Sequence, residues 1–306
     1  MKRAGLMAAA VLAAGTAWAG AFDAARVPAG ATWVVHADLS ALRPTPMGQF
    51  LVNELGSGVA GNKLAAFAAI FGFDPLKDLQ TITLCGKSKD PTQSVVMVAG
   101  AFDKDRLVTL LEANDTYESQ PFGAYTIHSW VDEKKPAEGR QYGCVHPSGT
   151  LVISHGREMI EETLQVLDGK RPSLDAGKVF GAELLSAAPF FMAGANAMGG
   201  ADGAPSAAVL KQADAAQLSL SEQGTDLVLR ARLTARDGQG ANNMLAVAQG
   251  MIAVAMLGQE KNPALAQLAQ AAQVRLDGKT VRVDIVYPEA RAIAAIEERM
   301  NAAAAQ

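Results

Sequence analysis

The chain has 306 residues, 27 basic against 31 acidic side chains, and a net charge near −4, with no basic run. That balance excludes a nucleic-acid surface and an anionic-membrane patch built on Lys and Arg. Hydrophobic residues make up 49%, enough for a sizeable core. Aromatics are only 6%, too few for a stacking groove that binds sugars or bases.

Met1-Lys2-Arg3 is followed by an uncharged, mostly apolar run from Ala4 to Thr16, then by Ala17-Trp18-Ala19. A basic start, an apolar stretch of about 13 residues and a small-x-small end form a cleavable export signal. The run is shorter than the ~20 apolar residues a spanning helix needs. The expectation is a signal peptide at 1–19 and an exported chain beginning at Gly20, periplasmic or extracellular.

Thr32 to Ala37 predicts a buried strand. Asp38 follows as a cap or turn residue, and Thr45-Pro46 opens a helix that Gly56-Ser57-Gly58 ends. A second helix spans about Lys63 to Ile70, with Gly72 as its stop. Strands are expected at Thr81–Gly86 and Ser94–Ala101, then a helix capped by Asp103. Further strands are expected near Tyr117 and at Ala124–Val131, Gln141–His146 and Thr150–Ser154, and a helix at Arg157–Leu167.

A connector at 169–188, with a short helix near 182–187, leads to a second run of elements. An apolar segment at Pro189–Ala195, a helical piece at 207–212 and a hairpin at Gln217–Ser221 and Asp226–Thr234 come first. Helices at Ala241–Leu257 and Pro263–Ala271 follow, the stretch Met244–Leu257 reading as a buried core helix too short to span a bilayer. Asp277-Gly278 predicts a tight hairpin turn, and Glu289–Met300 a terminal helix. The Gly- and Ala-rich stretch 194–203 reads as a mobile loop without the Lys of a phosphate-binding loop.

The order of elements repeats. Strand, helix pattern and sequence at Thr150–Glu158 resemble those at Thr280–Glu289, and strand–turn–strand–helix occurs at 81–112 and again at 217–257. The expected fold is α+β, with two similar modules at 20–168 and 189–306. Each is a mainly antiparallel sheet with helices packed on one face. Alternation places Leu227, Leu229, Ala231 and Leu233 on a core face, and Arg230 and Arg232 on a wet one.

Candidate chemistry is sparse. His36 and Asp38 share a strand face and would suit a hydrolase, but neither a G-x-S-x-G elbow nor a Ser-x-x-Lys pair accompanies them; the plainer reading has Asp38 cap the next turn. Cys144, His146 and His155 invite a metal site, yet hairpin pairing would hold the two histidines ~20 Å apart. Arg230, Arg232, Arg275 and Arg282 cluster on the predicted wet face as a possible anion site, or as ordinary pairs with Asp226, Asp277 and Asp284. Cys85 and Cys144 form either a disulfide or two buried thiols. Asn114-Asp115-Thr116 matches a glycosylation acceptor. No metal or cofactor is expected.

Several landmarks resemble an uncharacterised family of exported bacterial proteins: Pro28, Ala31, Trp33-Val34-Val35-His36, Asp38-Leu39, Leu42, Thr45 and Gly48. Gly72-Phe73-Asp74-Pro75, Asp78-Leu79, Gly100, Phe102-Asp103 and Leu167-Asp168-Gly169 continue the likeness, which covers most of the first module and thins in the second. The resemblance implies no assigned activity and brings no functional residues with it. The reading is a non-enzymatic exported protein that holds a protein partner or an apolar ligand, with a hydrolase at His36 and Asp38 as the alternative.

Overall fold

The computed structural model describes residues 21–180, 184–185, 188–196, 213–260 and 262–304. The signal segment 1–19, all but residues 184–185 of the connector helix near 182–187, the helical piece at 207–212 and residues 197–203 lie outside the described residues; the loop expected at 194–203 is corrected at its start, where residues 194–196 pair as part of a strand.

The chain opens on a 3-10 turn at Ala24–Arg26, then β1 (Trp33–Asp38), in which Val34, His36 and Asp38 are buried on one face. The Asp38 carboxylate accepts from the Ala41 N–H and starts the short α1 (Leu39–Leu42). Thr45 does the same for α2 (Pro46–Leu55), accepting from the Gly48 N–H, with Pro46 at the first helical position where no N–H is needed. α3 (Gly58–Phe71) begins three residues on and ends at Gly72, whose φ of 64° suits a residue without Cβ.

β2 (Leu79–Gly86) and β3 (Ser94–Gly100) form a hairpin, and Asp103 caps α4 (Lys104–Glu112). The meander β4 (Glu118–Phe122), β5 (Tyr125–Val131), β6 (Arg140–His146) and β7 (Thr150–Ser154) leads into α5 (Arg157–Leu167). One helical turn, α6 (Ala176–Val179), precedes β8 (Phe191–Asn196). The last part holds β9 (Ala213–Gln223), β10 (Asp226–Ala235), α7 (Gly238–Leu257) and α8 (Pro263–Ala271). It closes with β11 (Ala272–Asp277), β12 (Thr280–Pro288) and α9 (Glu289–Ala304).

The fold is α+β, as the spacing of strands and short turns predicts. The strands form a twelve-stranded antiparallel sheet in the order β11-β12-β10-β9-β8-β1-β2-β3-β7-β6-β5-β4. The sheet runs without a break through the expected boundary at 169–188. β1 and β8 pair antiparallel from Trp33 opposite Ala195 to Ala37 opposite Phe191, so each expected module completes the edge of the other. Read outward from this seam, the order is β1-β2-β3-β7-β6-β5-β4 on one side and β8-β9-β10-β12-β11 on the other.

Helices lie over both faces. On one face α5 places Met159, Ile160 and Leu164 against Val34, Cys85, Met97, Cys144 and Val152, with Phe180 and Met192 continuing this core toward the seam. On the other face α7 packs Ala241 and Met244 against Ala235 and Val281. Leu233 is opposite Val281, one residue out of phase with Arg232, which places this smaller core on the reverse side of the sheet.

The arginine strand face is wet only toward its edge: Arg275 on β11 is exposed, while the middle is covered. Arg232 is buried, and Ser219 and Ser221 on the neighbouring strand are buried with it. Polarity alone misreads this face because paired charges can be covered when each finds its counter-ion.

Candidate functional site

The residues singled out from the sequence fall into separate places. His36 is buried, with Nδ1 2.8 Å from the Thr83 hydroxyl and its ring edge against Phe22. Asp38 serves as the helix cap described above. Arg232 and Arg275 both reach Asp284, at 2.9 and 3.5 Å, and Arg282 reaches Asp277 at 2.6 Å. Arg230 sits opposite Asp284 in the register. The four arginines do share one strand face, and two aspartates neutralise much of its charge. Asn114 donates to the Val131 carbonyl while its own oxygen accepts from Thr116, so its side chain is tied into the turn.

Of the two readings for the cysteines, the structure shows buried thiols and corrects the disulfide. Cys85 and Cys144 are free and buried. Cys85 lies on β2 and Cys144 on β6, with β3 and β7 between them. Three strand spacings at ~4.8 Å put them ~14 Å apart, twice what a bridge can span. Burial pushes the Cys85 thiol up to about 12, with Glu162 adding to it, and the Cys144 thiol to about 11. Sequence spacing cannot reveal this, because it does not show which strands intervene. Among the described residues no group of three or more His, Cys, Asp or Glu side chains converges as a metal site.

Two features emerge that the sequence did not single out. The first is apolar. A ladder of side chains crosses the sheet from Val283 through Ala231, Leu218, Ala193, Val35, Leu84 and Val96 to Ile153. Every member is apolar and every one is only half-buried.

α7 packs on this same face, and its other side is bare. Ala241, Met244, Leu245 and Ala248 make the packed stripe. Val247, Met251 and Val254 make a second stripe at helical spacing that points to solvent, where Met251 is 62% and Val254 70% exposed. Leu257 at the helix end is 87% exposed. α7 is therefore not the buried core helix its composition suggests. It carries no charged residue in twenty and is the one helix, among the described residues, long and apolar enough to cross a membrane, although only 17% of that window is buried. α3 repeats the theme with exposed Val59, Phe67 and Ile70 and one charge, Lys63. Just beyond it, Phe73 stacks on Phe102 beside Gly100, which lies on the half-buried face with Val96.

The second feature is polar and lies at the β6–β7 turn. His146 Nδ1 is 2.8 Å from the Ser148 hydroxyl, and Nε2 is 3.3 Å from Asp168 Oδ1, just past α5. Tyr125 donates to the same carboxylate oxygen at 2.5 Å and Lys170 pairs with the other at 2.8 Å. Arg26 donates to both the Ser148 and Thr150 hydroxyls. Hydrogen bonds from Lys170, then Tyr125, hold the Asp168 carboxyl down to about 2, while burial followed by Asp168 pushes the Tyr125 phenol up to about 12. The turn itself lies between the strands expected at Gln141–His146 and Thr150–Ser154. Asp168, 22 residues on, and Arg26, 122 residues back from Ser148, reach it only through α5 and the N-terminal turn.

No family model matches the chain, and no curated protein matches it. Among solved structures, crystal form III of TP0453 is similar over 90% of this chain and 97% of its own, at a TM-score of 0.50 and 10% identity. Crystal forms I and IV of the same protein align at 0.47 and 0.46. At this identity the likeness speaks to the mixed α+β fold alone.

Proposed function

We propose that this is an exported binding protein of the periplasm or extracellular space that holds an apolar, acyl-chain-bearing ligand. One observation carries the reading: α7 presents an uncharged apolar stripe to solvent beside a half-buried apolar ladder on the same sheet face. An uncharged helix with an exposed apolar stripe is out of place in water, since surface helices ordinarily carry charge on their outer side.

The chemistry of the stripe favours an acyl chain over a protein. Protein interfaces concentrate binding energy in Trp, Tyr and Arg, and α7 has none. Its exposed side offers Val247, Met251, Val254, Met256 and Leu257, and the unbranched thioether adapts to flexible apolar shapes. The export signal at 1–19 and the resemblance of the first half to exported bacterial proteins are part of this proposal. So is an internal duplication, supported by the like order of the five strands nearest the β1–β8 seam on each side, which β5 and β4 extend on one side alone.

The test is titration of the mature chain from Gly20 with a fluorescent fatty acid. Binding should weaken about tenfold for Met251→Lys and Val254→Lys combined, since each loses a partly buried apolar contact. The melting temperature should hold, because both side chains are exposed. Absence of binding, together with concentration-dependent dimers that the same pair of substitutions dissolves, would replace the ligand with a second copy of the chain.

A further inference from the structure

Independently of the apolar surface, we propose that Ser148 is a nucleophile for acyl transfer, with His146 as its base and Asp168 as the group that orients that base. The proton positions follow from the backbone. The Ser148 main-chain N–H donates to His146 Nδ1 at 3.1 Å, and an N–H can only donate, so Nδ1 is the bare, accepting nitrogen. The Ser148 hydroxyl lies 2.8 Å from the same atom and 3.1 Å from the Thr150 hydroxyl, so the bare nitrogen is the nearer acceptor for its hydrogen. The imidazole hydrogen is left on Nε2, facing Asp168 Oδ1. Hydroxyl to imidazole to carboxylate is the arrangement that activates a serine, whichever ring nitrogen faces which partner.

The surroundings fit the task. Asp168 is kept ionised by Lys170 and Tyr125, so it can hold the imidazolium that forms when the hydroxyl proton is taken. The ring itself is buried and stacks on Tyr125 at 5.7 Å, which limits its rotation. Ser148 is exposed at the tip of the turn, open to a substrate. Arg26 Nη2 donates to the Ser148 oxygen at 3.2 Å, which puts a cation beside the atom that gains negative charge as its proton leaves.

The substrate class is a carboxylic ester whose carbonyl can reach a surface turn. Ser148 Oγ bonds to the acyl carbon while its proton passes to His146 Nδ1. Collapse of the tetrahedral intermediate breaks the carbon–oxygen bond of the ester, and the departing alcohol takes that proton. Water then repeats the sequence on the acyl-serine, giving one proton to Nδ1 and its oxygen to the acid, and Ser148 regains its hydrogen.

The experiment is labelling of the folded mature protein with a fluorophosphonate probe, mapped by peptide mass spectrometry. A single adduct on Ser148 is expected, absent in Ser148→Ala and formed about 10²-fold more slowly in His146→Gln, the usual contribution of a positioned base. Asp168→Asn should slow it as well. If His146→Gln fails to fold, the wild-type chain decides alone: Ser148 must lose its selectivity over other serines when unfolded in urea. No adduct on Ser148 in the folded protein, or an adduct whose rate ignores His146 or unfolding, would reduce the constellation to a local turn contact and overturn the proposal.

Discussion

Individual side chains in this protein are governed by what covers them. Cys85 and Cys144 titrate far above the ordinary thiol range because burial penalises the thiolate, which is the reactive form. Both should resist iodoacetamide at pH 8 in the native protein and react together on unfolding. Two alkylations under native conditions would show that the core opens locally. Asp168 behaves oppositely. Its carboxyl lies below the ordinary value in the folded chain, so its bonds stabilise the fold above the usual carboxylate range. That contribution is lost as pH falls toward about 2. The difference in melting temperature between wild type and Asp168→Asn should be full near neutrality and close toward pH 2. A difference that stayed constant across that range would mean the side chain acts through packing. Neither shift could be read from the sequence, because each depends on atoms that only folding brings near.

At the scale of elements, local signals and tertiary context separate cleanly. The caps are local. Asp38, Thr45 and Asp103 each accept a backbone N–H at the start of a helix, as their types and positions predict. Thr45→Ala should cost about 1 kcal/mol, measured by urea unfolding. Gly48→Ala should cost more than the cap, because a Cβ there would meet the Leu42 carbonyl oxygen at 1.9 Å. A Gly48→Ala variant as stable as wild type would mean that α1 moves freely relative to α2. α7 shows where local reading fails. Its composition resembles that of a buried helix, but what decides burial is the number of sheet strands beneath it, and only its first half rests on β10–β12.

For the whole molecule the decisive contact is the β1–β8 seam, supported on the helix layer by Glu289. This residue is buried at the start of α9, and its carboxylate accepts from the Met47 N–H of α2 at 2.7 Å, across 242 residues of sequence. A buried hydrogen bond to a charged group contributes about 1.5–3 kcal/mol. Glu289→Ala should lower stability by that order in a single unfolding transition, since the sheet is one continuous body. Two separate transitions in the variant would show that the halves unfold independently and that the seam is weak.

Much of the fold was legible beforehand because it is set within a few residues: strand alternation, capping side chains, the Asp277-Gly278 turn and the helix at Arg157–Leu167. So were the element order and the α+β class. What tertiary structure alone decided was the covering of faces. Joining β1 to β8 makes one sheet from two expected modules. Other contacts between distant residues bury Arg232, leave the far side of α7 bare, put two strands between Cys85 and Cys144, and carry Asp168 and Arg26 to the turn at His146. A sequence specifies which face of an element is apolar, but which neighbour reaches that face depends on contacts between distant residues, and those form only when the chain closes.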